Sequence, residues 1–105
     1  MTDTSDFERL LREMEAYAAE HHVPIINENG RQVFLSVIRD LRPHRVLEIG
    51  TAIGYSALLL AANGAADAHV TTLELSEERA ALAHSFIARS PYADRIEILQ
   101  GDAGE

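Results

Sequence analysis

Apolar residues recur every three or four positions in two stretches near the start of the chain, a spacing typical of amphipathic helices. The first stretch begins at Phe7 and predicts a helix that runs to about Glu20. A connector that contains Pro24 separates it from the second stretch, which ends before Pro43 because proline cannot continue a helix. The apolar face of this second helix is predicted to consist of Val33, Phe34, Val37, Ile38 and Leu41.

The remainder of the chain alternates short runs of apolar and β-branched residues with segments that favour helices. The predicted strands are residues 46–49, 69–73 and 95–100, and the predicted helices between them are residues 55–62 and 76–89. This alternation implies parallel strands joined by right-handed crossovers. We therefore expect one α/β domain over residues 1–105, with N-terminal helices in residues 1–42 and a βαβαβ unit with a three-stranded parallel sheet in residues 43–105.

The junction between the first predicted strand and the next helix is where the chain can hold a ligand. Gly50 and Gly54 let the backbone turn sharply and approach a bound molecule, and the free N–H groups of the helix point at the same place. A dinucleotide fingerprint, G-x-G-x-x-G, would need glycine where Ala52 and Tyr55 stand. Glycines in such turns often serve chain reversal alone, so the spacing leaves ligand binding and a simple turn equally open.

Two acids flank this turn. Glu48 lies within an otherwise apolar strand, where an ionised carboxylate is unfavourable unless other groups donate hydrogen bonds to it. Glu74 ends the second strand, at the place where an acid in a nucleotide-binding βαβ unit accepts hydrogen bonds from ribose hydroxyls. An alternative for Glu74 is that it favours the start of the following helix through the helix dipole.

Composition narrows the class of protein. The 105 residues carry a formal net charge of −8, and all nine basic residues are Arg, so a nucleic-acid partner is not expected and a membrane surface is disfavoured. The absence of Cys excludes disulfides and Cys-based zinc sites, and no apolar run approaches the roughly 20 residues needed to span a bilayer. The N-terminus has no signal-peptide pattern, and we expect a cytoplasmic location.

Adjacent His21 and His22 would point in different directions on a helix, so no metal site is expected there.

Three segments together resemble a known family. Residues 46–57 (Val-Leu-Glu-Ile-Gly-Thr-Ala-Ile-Gly-Tyr-Ser-Ala), 72–75 (Thr-Leu-Glu-Leu) and 98–103 (Ile-Leu-Gln-Gly-Asp-Ala) are similar to the S-adenosylmethionine-binding half of class I methyltransferases. More narrowly, the chain resembles the O-methyltransferase family that includes the catechol and caffeoyl-CoA O-methyltransferases. The resemblance runs from about Ile25 to the end of the chain, and it implies the strand order 3-2-1.

The resemblance also implies roles for residues. Glu48 would lie close to the amino group of the cofactor's methionine part, and the helix start at Tyr55 and Ser56 would hold the carboxylate. Glu74 would accept hydrogen bonds from the ribose diol. The remaining positions that the resemblance assigns to the cofactor are Gly50, Thr51 and Gly54 in the turn, Leu73 and Leu75 beside the adenine, and Gly101, Asp102 and Ala103 along its edge. The connector from Ile25 to Glu28 would help to close the site.

Length limits what the chain is expected to do. Catalytic members of the resembled family are about twice as long, and there a divalent cation such as Mg²⁺ and a lysine act from segments beyond a fourth strand; this sequence has no Lys. We therefore expect the chain to be the cofactor-binding portion of an O-methyltransferase that, when complete, methylates a hydroxyl of a small molecule. Alone, the chain is not expected to be a self-sufficient catalyst. The first strand would be left with an open edge, which predicts self-association or pairing with a missing C-terminal half. Two alternatives remain: an NAD- or nucleotide-binding unit of an oxidoreductase, and a non-catalytic interaction fragment.

Overall fold

The structure, a computed structural model, describes residues 4–101 of the chain and their side chains from Asp6 onward. In chain order the elements are α1 (Thr4–Glu20), α2 (Glu28–Leu41), β1 (Arg45–Ile49), α3 (Tyr55–Asn63), β2 (His69–Glu74), α4 (Glu77–Ala88), a short 3-10 turn (Ala93–Arg95) and β3 (Ile96–Gln100). The predicted helices and strands all occur. α1 begins at Thr4, three residues before Phe7, and the ends predicted for the strands and for α3 and α4 differ from the observed ones by one residue at most.

The three strands form one parallel sheet in the order β1-β2-β3, which is the predicted order 3-2-1 counted from the opposite edge. Along β1, Arg45 pairs with His69 and Glu48 pairs with Thr72. This register matters for function because side chains of paired residues project from the same face of the sheet.

The helices begin and end at residues that satisfy their free backbone groups. The Ser76 hydroxyl accepts a hydrogen bond from the Arg79 N–H at 3.1 Å and caps α4, as predicted. The Asn27 side chain accepts from the Gly30 N–H at 2.8 Å and caps α2. At the end of α3, the Gly64 N–H donates to the Leu60 carbonyl, which confirms the predicted stop.

One face of the sheet is covered by helices. Its central residues, Val70 and Thr72, are fully buried, and α3 and α4 pack directly against this face. Outside them, α1 adds Leu10, Leu11 and Met14 to the same core. The alternation of β2 therefore sends Val70, Thr72 and Glu74 inward together.

The opposite face has no covering element among residues 4–101. On β1, Leu47 and Ile49 are 66% and 63% exposed, and Leu99 on β3 is 44% exposed. The outer edge of β1 also has no partner strand within the described part of the chain. An exposed apolar face beside an unpaired strand edge is typical of a surface that another polypeptide segment covers.

The prediction for α2 was too simple. Phe34 and Ile38 pack into the core as expected, and Leu35 joins them. The other members of the predicted face, Val33, Val37 and Leu41, are 65%, 49% and 73% exposed. Spaced four residues apart, they form a second apolar stripe that the described residues leave uncovered. The spacing of apolar residues predicted that both groups lie on the helix surface facing the core, but it could not show that only one of them is buried.

The two glycines that bracket the turn after β1 have different surroundings. Both have positive φ, 89° at Gly50 and 92° at Gly54. A Cβ on Gly54 would lie 3.0 Å from Cδ1 and 3.2 Å from Cγ1 of Ile87 on α4. A Cβ on Gly50 would meet no atom within 4 Å. Gly54 therefore allows α4 to pack close to the turn, whereas Gly50 faces open space.

We expect Gly54→Ala to lower the free energy of unfolding by about 2–3 kcal/mol, because strain at positive φ adds to overpacking against buried Ile87. Gly50→Ala is the matched control, since it introduces the same backbone strain without the clash, and its effect should be near 1 kcal/mol. Urea unfolding followed by circular dichroism measures both. Equal losses for the two variants would contradict the packing role of Gly54.

Candidate functional site

The candidate site is built on the turn that joins β1 to α3. The N–H groups of Gly50 and Thr51 donate to the Leu73 carbonyl at 2.8 and 3.1 Å, which fixes the turn against the end of β2. The Gly54 N–H then donates to the Thr51 carbonyl at 2.9 Å and closes the turn. The start of α3 and the carboxyl ends of β1 and β2 are thereby brought to one place, where ligands commonly bind in open parallel sheets.

Glu48 is held by hydroxyl groups. Thr72 donates to its Oε1 atom at 2.7 Å, and Ser56 donates to its Oε2 atom. The Oγ1 atoms of Thr51 and Thr72 are 2.6 Å apart. Because the single hydroxyl proton of Thr72 goes to Glu48, Thr51 donates to Thr72. The acid in the apolar strand thus has the hydrogen-bond donors that its position requires.

These bonds do not fully offset the loss of water around the carboxylate. Burial raises the pKa of Glu48 above its usual value of 4.5, and the hydrogen bonds from Ser56 and Thr72 lower it by less. All donors in the cluster are neutral hydroxyls. A positive charge placed beside this carboxylate would therefore supply the stabilisation that the site itself lacks.

Glu74 is 7% exposed, and each of its carboxylate oxygens accepts a hydrogen bond from a backbone N–H group. Its Oε1 atom accepts from Ala52 at 2.8 Å, and its Oε2 atom accepts from Ser76 at 3.0 Å. Ala52 has a φ of 50°, a left-handed conformation that is unfavourable for a residue with a Cβ. Glu74 therefore stabilises both the tightest point of the turn and the start of α4. A carboxylate offers about four acceptor positions, so each oxygen keeps one for a ligand.

Glu48 and Glu74 project from the same face of the sheet. Glu48 pairs with Thr72, and Glu74 lies two residues beyond Thr72 on β2. Thr72 lies between them along this face: it donates to Glu48 and contacts the Thr51 hydroxyl. The two predicted acids are thus brought together at one end of the sheet.

A cavity of about 230 Å³ opens beside the turn. Gly50, Thr51 and Ala52 form one wall, and Tyr55 and Ser56 at the start of α3 form another. No side chain caps the N-terminus of α3, whose preceding residue is Gly54. The third wall is the connector between α1 and α2, through Pro24, Ile25 and Ile26.

The connector was predicted to close the site from Ile25 to Glu28. Ile25 and Ile26 line the cavity, whereas Asn27 caps α2 and Glu28 forms an ion pair with Arg31. The residues that border the cavity therefore begin one position earlier than predicted, at Pro24, and end at Ile26.

The residues predicted for the adenine are only partly described. Leu73 is half-buried, and Leu75 is 67% exposed just after β2. The Gly101 N–H donates to the Glu74 carbonyl at 2.9 Å, and a Cβ on Gly101 would meet no atom within 4 Å. Asp102 and Ala103 lie outside the described residues.

Sequence reasoning missed Thr72. The alternation of side chains along a strand could have indicated it. Thr72 lies two residues before Glu74 on β2 and therefore faces the same side of the sheet. It also missed the hydrogen bonds that join Tyr55 to Glu15 and Arg31. Those partners are 40 and 24 residues away along the chain, and no local pattern indicates them.

No helix in residues 4–101 is long and apolar enough to cross a membrane. The cytoplasmic location stays a prediction.

Comparison with known proteins decides the family. A family profile described as "O-methyltransferase" matches residues 2–105. The chain belongs to the O-methyltransferase family. The catechol O-methyltransferase of Mus musculus is 29% identical over 97 residues, which are 91% of this chain and 37% of the mouse protein. The crystal structure of an O-methyltransferase from Bacillus cereus in complex with SAH has a TM-score of 0.77 at 32% identity, covering 90% of this chain and 44% of that one.

A second kind of relative matches part of the chain. The tRNA1(Val) (adenine(37)-N6)-methyltransferase of Bacteroides thetaiotaomicron is 46% identical over 59 residues, which are 56% of this chain and 25% of that protein. The family member described here thus spans less than half the length of these curated relatives. The structural likeness confirms the methyltransferase fold that the sequence predicted.

We expect Glu48→Gln to raise the free energy of unfolding at neutral pH, because the folded state of this family member otherwise keeps an ionised carboxylate where burial disfavours it. The raised pKa of Glu48 means that the wild-type protein loses stability as the pH rises through that pKa, whereas the amide variant does not. The difference between the two proteins should be small below pH 4.5 and should grow above it.

Urea unfolding at a series of pH values measures this difference. Glu97→Gln, at an exposed position on β3, is the control for loss of one negative charge. A Glu48→Gln variant that is less stable than wild type by the same amount at every pH would contradict the interpretation.

Proposed function

We propose that this chain is the S-adenosylmethionine-binding portion of an O-methyltransferase that transfers a methyl group to a hydroxyl of a small molecule. The observation that carries the proposal is the buried Glu48 carboxylate beside the open Gly50 wall of the cavity. Glu48 itself is not among the residues that line the cavity, but Ser56, which donates to Glu48, does line it.

The amino-acid end of the cofactor fits this part of the site. Its ammonium group would bind at Glu48, whose charge has only neutral hydroxyl partners. Its carboxylate would bind the free N–H groups of the first turn of α3, near Tyr55 and Ser56. In the structure the Ser56 hydroxyl donates its hydrogen bond to Glu48, so the backbone N–H groups would be the donors to the cofactor's carboxylate. Gly50, Thr51 and Gly54 would contribute the backbone of the turn.

The nucleoside end would extend toward Glu74. The ribose hydroxyls would use the acceptor positions of the Glu74 carboxylate that Ala52 and Ser76 leave free. Leu73 and Leu75 would lie beside the adenine, with Gly101, Asp102 and Ala103 along its edge. The exposure of Leu75 supports this role, because an apolar side chain that is 67% exposed gains from burial by a ligand.

The cofactor supplies the sulfonium-bound methyl group, and the chain described here binds and orients it. Methyl transfer to oxygen is an in-line displacement whose rate depends on how well the acceptor oxygen is aligned with the methyl group. Among residues 4–101, no three acidic or histidine side chains converge where a metal ion could bind. A divalent cation such as Mg²⁺ belongs to the proposal only for a full-length relative.

A small-molecule acceptor is favoured over tRNA by the charges of the described surface. Three arginines of the described surface are already paired with acids: Arg12 with Glu15, Arg31 with Glu15 and Glu28, and Arg89 with Glu13. RNA binding depends on cationic side chains that can neutralise phosphates. With a net charge of −8, this part of the protein offers RNA little attraction.

We propose in addition that the open edge of β1 pairs with another polypeptide, either a second copy of this chain or a C-terminal segment that continues the sheet. The exposed Leu47 and Ile49 beside that edge support this proposal.

Isothermal titration with S-adenosylmethionine, S-adenosylhomocysteine and NAD tests the proposed cofactor. We expect the first two to bind and NAD to give no heat. Glu48→Gln should weaken binding about 10- to 100-fold, because a hydrogen bond between charged groups is replaced by a neutral one. Gln at Glu97 is again the control and should bind as wild type does.

Other outcomes of that titration contradict the proposal. Binding of NAD alone would support a nucleotide-binding unit of an oxidoreductase. If none of the three ligands binds, the chain is better described as a non-catalytic interaction module.

Sedimentation velocity over a range of protein concentrations tests the β1 edge. We expect the wild-type chain to self-associate as the concentration rises, and Ile49→Lys to reduce this because it places a charge beside the edge. Leu75→Lys is the matched control, since Leu75 is equally exposed but lies outside β1. A well-folded wild-type chain that stays monomeric at high concentration would contradict self-association.

A further inference from the structure

Three side chains from three different helices meet behind the cavity. The Arg31 Nη1 atom on α2 lies 2.6 Å from the Glu15 Oε2 atom on α1 and 2.8 Å from the Tyr55 hydroxyl at the start of α3. The Tyr55 hydroxyl in turn donates to the same Glu15 oxygen. We call these three residues, Glu15, Arg31 and Tyr55, the helix-start network.

The helix-start network is largely shielded from water. Tyr55 is 2% exposed, and the side chains of Arg31 and Glu15 are 14% and 29% exposed. Burial alone raises the pKa of Glu15, but the hydrogen bonds from Tyr55 and Arg12 and the charges of Arg12 and Arg31 outweigh it and hold that pKa below its usual value. Glu15 is therefore ionised at neutral pH, and both of its partners in the network stay bound to a charged acceptor.

The helix-start network lies on the far side of the connector from the cavity. Tyr55 and residues 24–26 border the cavity, and they also border a groove that Glu15 and Arg31 line. Tyr55 thus has one surface in the cavity and its hydroxyl in the network. The connector passes between the two spaces.

Hydrogen bonds hold the connector at its two ends. The Val23 N–H donates to the Ala18 carbonyl at 2.9 Å, and Asn27 caps α2. Within the described chain, no backbone hydrogen bond joins Pro24, Ile25 or Ile26 to the glycine turn. Ile25 and Ile26 also pack against the core. Their position over the cavity therefore depends on that packing and on how α1 and α2 are held against α3, and the helix-start network makes one such connection between the helices.

We infer that Glu15, Arg31 and Tyr55 are positioning residues that hold the segment Pro24–Ile26 against the amino-acid end of the bound cofactor. The inference rests on the proposed function for the identity of the ligand, but the geometry of the connector is independent of it. Loss of the network would let the segment move away from the cavity and would expose the cofactor's amino-acid end to water. The nucleoside end, which lies toward Glu74, would be unaffected.

Tyr55→Phe tests the inference because it removes the hydroxyl and keeps the buried ring. We expect its affinity for S-adenosylhomocysteine to fall about tenfold, the effect of losing a hydrogen bond to a charged group. Its affinity for 5′-methylthioadenosine, which has the nucleoside but lacks the amino-acid end, should stay within about twofold of wild type. Glu13→Gln is the matched control: it removes the ion pair between α1 and Arg89, away from the cavity, and should change neither affinity.

A second measurement needs no ligand. Backbone ¹⁵N relaxation should give Ile25 and Ile26 lower order parameters in Tyr55→Phe than in wild type, with no change in Glu13→Gln. Unchanged order parameters would overturn the positioning role whether or not any cofactor binds. Equal losses of affinity for the two nucleosides would also overturn it, since they would indicate a general loss of structure. If the wild-type chain binds neither nucleoside but the order parameters of Ile25 and Ile26 fall in Tyr55→Phe, the proposed function is contradicted and the positioning role is supported.

Discussion

A carboxylate inside an apolar strand sets the main constraint on this fold. Glu48 cannot remain ionised at the end of β1 unless donors surround it, and the chain supplies them from the neighbouring strand and the next helix. Thr72 meets this requirement because it pairs with Glu48 in the sheet, Thr51 donates to Thr72, and Ser56 in the first turn of α3 lies beside the acid. The turn between β1 and α3 is therefore organised around one buried charge.

A buried acid with only neutral partners lowers stability, and proteins keep such groups mainly where a ligand uses them. Glu74 provides the contrast. Its oxygens accept from two backbone N–H groups, one of them on the left-handed Ala52, so it contributes to the fold as well as to the proposed ribose site. The two acids are alike in sequence context but differ in what they do for the unliganded protein.

Local sequence was sufficient to predict most of the fold. The alternation of short apolar runs with helical segments predicted the parallel sheet, and Gly50, Gly54 and Ser76 marked the turn and the start of α4. Packing between distant segments was not predictable in the same way. The exposure of Val33, Val37 and Leu41 and the meeting of Glu15 with Tyr55 depend on how helices far apart in the chain are arranged. Within the site, the predicted acids were brought together, and Thr72 was missed because a threonine in a strand has no distinctive local signal.

A bound complex tests the central proposal most directly. A crystal structure of this chain with S-adenosylhomocysteine should place the ligand's amino group about 3 Å from a Glu48 oxygen, with the ribose hydroxyls at Glu74 and the amino-acid end beneath Ile25 and Ile26. A ligand bound elsewhere, or bound in the cavity with its amino group turned away from Glu48, would contradict it.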